Sequence, residues 1–439
     1  MNSPLPQPAL SLPQVAARSL LLPAVGVVLA FVVHRFVMPH VDEYFAGIAL
    51  DVGVNIMLAV SLTIVNGFTG QFSIGHAGFM ALGAYTAGTI TYYGSILLWQ
   101  SPQFAGGALS LSSERMIADG LFARGDLLFL AGCVAGALIA GIAGLVVGLP
   151  SLRLRGDYLA IVTLGFGEIV RILLEQSREQ LVLERLPENP TPQQLEQYQT
   201  MLAKIQDIGF PELLLHAGSA KGFGDVPNYA SAFWVVVFAT FTLAVAFRLK
   251  NSSHGRALLA IRENEVAASA MGVPVTRYKV IAFVISAALT GLAGGLYAHQ
   301  VRLIPGTLGF QKSFDILIMV VLGGLGSISG SVVAAILITL LPEILRDPPA
   351  AWPVALIVIV ALAIIRKGRS LKAMGVLVAI AIAWEVLRGM GVRLSEYRMI
   401  LYALALILMM ILRPKGLLGM SEFADYWRAW RRRRNQRAS

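Results

Sequence analysis

The chain has 439 residues, of which 56% are hydrophobic and 14% are charged, and its mean hydropathy is +0.70. A soluble domain of this length carries about a quarter charged residues, so a single water-soluble core is excluded and membrane-spanning helices are predicted. The formal net charge of +10 lies largely in basic clusters that flank apolar runs. This placement favours anionic membrane lipid as their partner over nucleic acid.

The apolar segments predict an all-α polytopic membrane protein with about ten to twelve transmembrane helices. In chain order they are residues 20–37, 45–65, 76–93, 127–148, 158–174, 230–247, 280–299, 314–322, 328–345, 352–365, 373–387 and 399–412. The eighth segment is too short to cross alone, and the tenth and eleventh are marginal. No small-residue cleavage site closely follows the first, which is predicted to be an uncleaved helix and not a signal peptide.

The basic residues orient these segments, because lysine and arginine are enriched in cytoplasmic loops. We place the arginine run 431–434 in the cytoplasm and alternate the crossings. The N-terminus and every dense basic loop then share the cytoplasmic side; these loops are 153–155, 248–277 and 366–372. The long loops 95–126 and 175–228 lie on the periplasmic side.

Two segments outside the spans are predicted to be amphipathic. Thr191 and Pro192 are typical of an N-cap and a first helical position, so residues 191–206 are predicted to form a surface helix, or else a plain connector. The basic tail 421–439 carries tryptophans beside its arginine run and is predicted to lie in the cytoplasm against the lipid headgroups.

Glycine and serine interrupt two apolar regions, at residues 70–75 and 324–330. Paired interruptions in two halves of a chain are typical of a transport pathway. In an inverted repeat, the spans that follow these two interruptions run in opposite directions across the membrane. In the alternating topology, both run from the cytoplasmic side to the periplasmic side. An inverted repeat therefore follows only if a short segment such as the eighth is miscounted.

The cytoplasmic loop 248–277 contains a further predicted helix. Residues 257–271 are rich in helix formers, and Gly272 and Pro274 end the pattern. One apolar stripe runs through Ala257, Ile261, Val266 and Ala270. A helix this short is marginal alone in water, which predicts a cytosolic protein that packs against it.

Glu265, Ala267, Ala268 and Gly272 resemble the EAA loop of ABC importer permeases, although Val266 stands where that loop has its glutamate and Glu265 comes one place early. Longer matches are similar, in the same order, to the LivM-type branched-chain amino acid permeases. They are residues 66–79, 152–171, 320–330 and 412–419.

The resemblance implies a permease domain over residues 45–420, after an N-terminal tail and first helix (1–44) and before the tail 421–439. It implies a subunit of a bacterial inner-membrane importer that pairs with a second, LivH-type permease, two cytosolic ATPases and a periplasmic solute-binding protein. The solute is expected to be a branched-chain amino acid, with other amino acids or urea and amides as alternatives. No Gly-x-x-x-x-Gly-Lys-Ser/Thr motif occurs in the sequence, so ATP is expected in the partner subunits and no cofactor in this chain.

Candidate functional residues fall in three groups. For coupling to the ATPases the candidates are Arg262, Glu265, Ala267, Ala268 and Gly272. For the translocation pathway they are Gln71, Ser73, Gly75, His76, Asp315, Gly324, Gly326 and Ser327, with ordinary helix–helix contacts as the alternative. Glu168 and Arg171, three positions apart, are predicted to form a structural ion pair in preference to a pathway role.

Other polar residues leave alternatives open. Asp315 is predicted either to recognise a substrate amine or to pair with Arg302, and Asp51 and Asn55 lie four positions apart in the second span. No cluster of histidine and cysteine surrounds His76, so no metal is expected. An ion-coupled secondary transporter could use the same glycine breaks and acids, but the cytoplasmic helix favours the ABC permease. A membrane enzyme is disfavoured because the sequence shows no catalytic constellation.

Overall fold

A computed structural model describes residues 23–101, 104–110, 120–151, 158–184 and 189–346, together with residues 400, 403, 407, 416, 417, 419 and 422. Within these residues the structure is helical, and its one β-bridge joins Phe223 to Leu303. This confirms the all-α prediction. Several predicted features lie outside the described residues: the spans 352–365 and 373–387, the loops 153–155 and 366–372, and the arginine run 431–434.

The described ranges contain thirteen helices, numbered here in chain order. They are α1 Pro23–His40, α2 Glu43–Leu62, α3 His76–Trp99, α4 Arg124–Ser151, α5 Tyr158–Glu175, α6 Pro192–Asp207, α7 Phe210–Leu213, α8 Ala232–Asn251, α9 Ser253–Glu263, α10 Glu265–Ala270, α11 Val275–Tyr297, α12 Phe310–Gly323 and α13 Ile328–Arg346. A π-helical turn, Thr63–Thr69, continues α2. In the predicted last span, Ile400, Ala403 and Ile407 are helical.

Six described segments are long and apolar enough to cross a membrane. They are Pro23–His40, Glu43–Thr69, Arg124–Pro150, Ala232–Asn251, Val275–Tyr297 and Pro305–Gly323. The last corrects the prediction for residues 314–322, which we expected to be too short. A 3-10 turn, Pro305–Leu308, leads into α12, and this helix starts at Phe310 despite the polar Gln311 and Lys312.

The chain divides into two compact units, Met1–Leu317 and Ile318–Ser439, and the division falls within α12. In the first unit, α3, α4 and α11 pack closely at glycines. A Cβ at Gly83 would lie 2.2 Å from the carbonyl oxygen of Gly291, and one at Gly136 would lie 2.6 Å from that of Gly83. Small residues of this kind let helix backbones approach closely within a membrane.

The order of the contacts gives the relative directions of these helices. His76, at the start of α3, contacts Ser286 in α11, and the later residue Thr91 contacts His299, just beyond the end of α11. The two helices therefore run parallel. In α4 the order is reversed, because Gly136 meets Gly83 whereas Gly132 meets the later residue Thr91. These directions agree with the predicted alternation of crossings, while the side that faces the cytoplasm stays a prediction.

The second unit contains the end of α12, α13 and residues from near the C-terminus. Gly323 and Gly330 lie against each other, so α12 and α13 meet at a tight turn. The N–H of Leu417 donates a hydrogen bond of 2.8 Å to the carbonyl oxygen of Leu322. Leu417 is therefore packed against the end of α12 in this unit.

Candidate functional site

Residues 70–75 form a non-helical segment between the π-helical turn after α2 and the start of α3; we refer to it as the glycine segment. It begins at Gly70, whose φ of +69° lies in the left-handed region that glycine adopts without strain. It ends at Gly75, where a Cβ would lie 2.2 Å from the carbonyl oxygen of Thr163 on α5. Glycine is thus required at both ends, once for conformation and once for close packing.

Neighbouring side chains satisfy the backbone of the glycine segment. The N–H of Ser73 donates to Asn66 Oδ1 at 3.2 Å, and the N–H of Ile74 donates to Thr163 Oγ1 at 3.1 Å. Gln71 Oε1 accepts a bond of 3.2 Å from Thr69 Oγ1. An interrupted backbone buried in protein needs such partners, because lipid offers none.

His76, the first residue of α3, is buried and joins α3 to α11. Its Nε2 lies 2.9 Å from Ser286 Oγ, and that hydroxyl donates to the carbonyl oxygen of Ser61 at 2.5 Å. Since the hydroxyl proton is used there, Nε2 is assigned as the donor and Nδ1 as an acceptor.

Three buried polar atoms around the glycine segment lack a hydrogen-bond partner among the described residues: His76 Nδ1, Ser73 Oγ and Asn66 Nδ2. Buried polar atoms of this kind are rare in folded proteins, and each calls for a water, a ligand or a second conformation. The predicted pathway residues Gln71, Ser73, Gly75 and His76 therefore lie together where hydrogen-bonding capacity is unused, and their role in transport stays a prediction.

A second helix starts beside the first. Glu168, near the middle of α5, accepts the N–H of Phe310 at 3.0 Å and so caps α12 from another helix. Ser313 Oγ, in the first turn of α12, accepts the N–H of Ala77 in the first turn of α3 at 3.1 Å. Helices that begin in the interior of a membrane bundle are typical of transporter binding regions.

The ion pair predicted between Glu168 and Arg171 is present, at 2.7 Å, and Arg171 also pairs with Glu175 at 2.5 Å. The three side chains keep between 26% and 33% of their surface exposed. The site is thus less deeply buried than the sequence suggested. The structural role of the pair stays a prediction.

Asp315 has a different neighbour from the one suggested. The ion pairs and hydrogen bonds of the described residues do not join it to Arg302, which lines a groove of about 260 Å³ with Asp225. Lys312 lies one turn before Asp315 on α12 and donates a hydrogen bond of 3.2 Å to Asn55 Oδ1 on α2. The sequence reading missed Lys312, which stood outside the predicted span.

The predicted pathway residues Gly324, Gly326 and Ser327 belong to the second unit. Gly324 and Gly326 have φ values of +109° and +93°. A Cβ at Gly324 would lie 2.5 Å from the carbonyl oxygen of Gly419, so Gly419 lies against this turn. Within this unit the need for glycine comes from the turn itself and from the chain packed against it.

The loop 248–277 contains two helices, α9 and α10, and the predicted single helix 257–271 with its continuous apolar stripe was wrong. Asn264 breaks it with an extended backbone (φ −159°, ψ 110°) and caps α10 by accepting the N–H of Ala267 at 3.0 Å. Asparagine favours such caps over helix interiors. As a result Ile261 is buried, whereas Val266 is 72% exposed.

Gly272 ends α10 as predicted, with φ at +83°. The N–H of Gly272 donates to the carbonyl oxygen of Ser269 at 3.0 Å, and the N–H of Val273 donates to that of Ala268 at 3.1 Å. This pair of bonds is the Schellman motif, which depends on a left-handed residue.

Two long side chains connect this loop to the helix bundle. Arg262 Nη1 donates to the carbonyl oxygen of Gly67 at 2.7 Å, just before the glycine segment. Lys279, a buried residue near the start of α11, donates from Nζ to Glu265 Oε2 at 2.8 Å. Glu265, which is one place out of register with the EAA loop, is thus bonded to the bundle.

The loop 175–228 lies at the other end of the bundle from α9 and α10. Its Leu181 N–H donates to Tyr93 Oη at 3.2 Å, and Tyr93 lies in the C-terminal part of α3. Helix α6 in this loop confirms the surface-helix prediction: Thr191 is the N-cap, Pro192 is the first residue, and Gln194 completes a capping box. The two loops are therefore separated by the length of the bundle.

Apolar helices of membrane-spanning length, two helices that start together in the interior, and a helical loop bonded to one end define a multi-pass membrane protein of the permease class. The family described as "Branched-chain amino acid transport system / permease component" matches residues 44–366. The chain belongs to this family.

Individual relatives give the same result. The chain is 31% identical over 375 residues to the LivM permease protein of Salmonella typhimurium, covering 84% of this chain and 68% of the relative. A probable LivM protein of Methanocaldococcus jannaschii is 26% identical, with 68% and 80% covered. The LivH permease protein of Salmonella typhimurium is 28% identical over 148 residues, with 33% and 48% covered. No solved structure matches the chain.

Proposed function

We propose that the chain is one of two related permease subunits of a bacterial ABC importer that carries branched-chain amino acids across the inner membrane. Two cytosolic ATPases bind ATP and drive the pair, and a periplasmic binding protein delivers the solute. Similarity to relatives named as high-affinity branched-chain amino acid permeases, of both the LivM and the LivH kind, supports the substrate and the pairing.

The observation that carries this proposal is the bond from Arg262 to the carbonyl oxygen of Gly67. It joins the loop that would meet an ATPase to the glycine segment that would meet the solute. Exposed apolar side chains on the same loop suit a protein partner, since Val266 is 72% and Met271 is 85% exposed. A push on α9 would reach Gly67 through this bond.

Uptake of radiolabelled leucine tests the proposal. Cells that lack their own leucine uptake receive this chain with the second permease, the ATPases and the binding protein. We expect uptake that needs every component and ATP, and that persists when a protonophore collapses the proton gradient. Uptake by the chain alone that stops with the protonophore would identify an ion-coupled transporter instead. Competition by unlabelled urea, amides and other amino acids then separates the alternative substrates.

A further inference from the structure

Three helices bring polar and charged side chains together within the apolar part of the first unit. Lys312 Nζ on α12 donates a bond of 3.2 Å to Asn55 Oδ1 on α2 and lies 5.9 Å from the ring centroid of Tyr297 on α11. Asp315 lies one turn after Lys312 on α12, and Asp51 lies one turn before Asn55 on α2. We refer to these five residues as the charged cluster.

The surface of the charged cluster is unsuited to lipid. Asp51, Lys312 and Asp315 are each half-buried, so part of every side chain reaches the surface of the chain. They lie in Glu43–Thr69 and Pro305–Gly323, two of the segments able to cross a membrane. Ionisable groups at that depth face water or protein, because contact with hydrocarbon is costly.

The exposed face of α4 shows the contrast. Its large exposed side chains within the span are apolar: Leu127, Val134, Leu138, Ile139, Ile142, Leu145, Val146 and Leu149. That face suits lipid. The charged cluster instead adjoins the place where two helices start, because Ser313, the residue after Lys312, bonds to the first turn of α3.

We propose that the charged cluster binds the ammonium and carboxylate groups of a zwitterionic amino acid in transit. Lys312 holds the carboxylate of the solute, and Asp315 and Asp51 hold its ammonium group. The inference rests on the proposed function and adds the residues that recognise the solute inside the membrane.

The charges of the cluster fit a zwitterion better than the alternative solutes. The cluster has one ammonium group, on Lys312, and two carboxylates, on Asp51 and Asp315. A zwitterion can place its carboxylate against the ammonium group and its own ammonium group against the carboxylates, and it leaves the net charge of the site unchanged. Urea and amides carry neither charge and would gain neither ion pair.

The test uses the complete importer in proteoliposomes, with leucine-loaded binding protein in excess. We expect Lys312→Met, and the double variant Lys312→Met with Asp315→Asn, to lower leucine uptake by about tenfold or more, the factor expected when a charge-assisted hydrogen bond is lost. Lys312→Met alone leaves two carboxylates without their cation and should lower the amount of complex, which the double variant should partly restore. Uptake is therefore compared per amount of complex. Arg178→Met with Glu212→Gln, which neutralises an exposed pair in the outer loop, is the matched control.

Near-normal uptake by the double variant would overturn the proposal, because it would show that transport does not need the charges of Lys312 and Asp315. A second measurement does not depend on turnover. In a Cys133→Ser background, leucine should protect a cysteine at the exposed neighbour Gln311 from a water-soluble thiol reagent, and Lys312→Met should abolish that protection. Absence of protection in the otherwise unchanged cluster would also overturn the proposal.

The two proposals can fail separately. If the wild-type importer carried urea and no amino acid, both the proposed substrate and the proposed role of the charged cluster would be wrong. If leucine uptake were normal in both Lys312 variants, the proposed importer function would be kept. Only the proposed binding of solute by the charged cluster would be rejected.

Discussion

Arg262 Nη1 donates a hydrogen bond of 2.7 Å to the carbonyl oxygen of Gly67, which joins helix α9 to the turn before the glycine segment. The side chain also lies close to the first residue of the segment, since a Cβ built at Gly70 would lie 3.0 Å from Arg262 Cγ. Arg262 thus connects α9 to the start of residues 70–75.

Replacement of Arg262 by alanine should therefore uncouple the importer. We expect leucine uptake to fall by about tenfold or more, as for the loss of one charge-assisted hydrogen bond, while ATP hydrolysis continues. The amount of subunit in the membrane should change little, because Arg262 is only half-buried. Uptake and hydrolysis are measured side by side in proteoliposomes.

Gly70→Ala is the variant to combine with Arg262→Ala. It places a methyl group against the Arg262 side chain and strains a left-handed residue. If Arg262 acts through this contact, the double variant should be no worse than the more severe single variant. Effects of the two changes that simply add would contradict the connection.

At Gly272, the effect of backbone conformation can be separated from the effect of side-chain size. No atom lies within 4 Å of a Cβ built there, so a larger side chain has room, but the φ of +83° costs most L-residues about 1–2 kcal/mol. Gly272→Leu should uncouple hydrolysis from uptake with the subunit still in the membrane. Gly272→Asn should retain most uptake, because asparagine tolerates the left-handed region. Equal uptake by the two variants would count against a conformational role.

Local patterns predicted much of the fold. Apolar runs predicted α2, α4, α8 and α11, which are long and apolar enough to cross a membrane. Thr191 and Gly272 predicted helix ends, because each acts on backbone groups within a few residues. The break at Asn264 was also visible, since asparagine favours caps, but the surrounding helix formers obscured it.

The sequence could not show partners that only folding brings together. Phe310 is capped by Glu168, which is 142 positions away, and Lys312 reaches Asn55 across 257 positions. Lys312 follows Gln311, so hydropathy placed both in a loop. Their place in a helix depends on tertiary contacts.

Glu422 provides a further test of such a distant cap. Its carboxylate accepts the N–H groups of Ile328 and Ser329, each at 3.0 Å, and the Ser329 hydroxyl at 2.6 Å. Glu422→Ala leaves the start of α13 without these acceptors and should destabilise the second unit by about 1–2 kcal/mol. We expect less subunit in the membrane by immunoblotting. Glu422→Gln, which keeps one acceptor oxygen, should lose less; equal amounts in Glu422→Ala and wild type would contradict the cap.

The orientation of the bundle can be measured with cysteines in exposed helices of the two loops. In a Cys133→Ser background, Glu196→Cys on α6 should react with a membrane-impermeant thiol reagent in intact cells. Arg256→Cys on α9 should react only after permeabilisation. The reverse pattern would invert the topology, whereas the helix directions relative to one another would remain.

The group formed by Glu168, Arg171 and Glu175 yields a prediction about stability. Arg171 holds two carboxylates, so Arg171→Met leaves both without their cation and should cost about 1.5–3 kcal/mol, as for hydrogen bonds to charged groups. Glu168→Gln keeps an oxygen for the N–H of Phe310 and leaves Glu175 on Arg171, so it should cost less. Subunit abundance should therefore be lower for Arg171→Met than for Glu168→Gln.

Neutralising all three residues distinguishes a structural group from a solute site. Arg171→Met combined with Glu168→Gln and Glu175→Gln leaves no charge unpaired and keeps an acceptor for Phe310. If the group is structural, both abundance and leucine uptake should recover toward wild type, because the helices regain their packing without an uncompensated ion. If these charges bind solute, abundance should recover while uptake stays low. An abundant but inactive triple variant would thus move Glu168 and Arg171 into the translocation pathway.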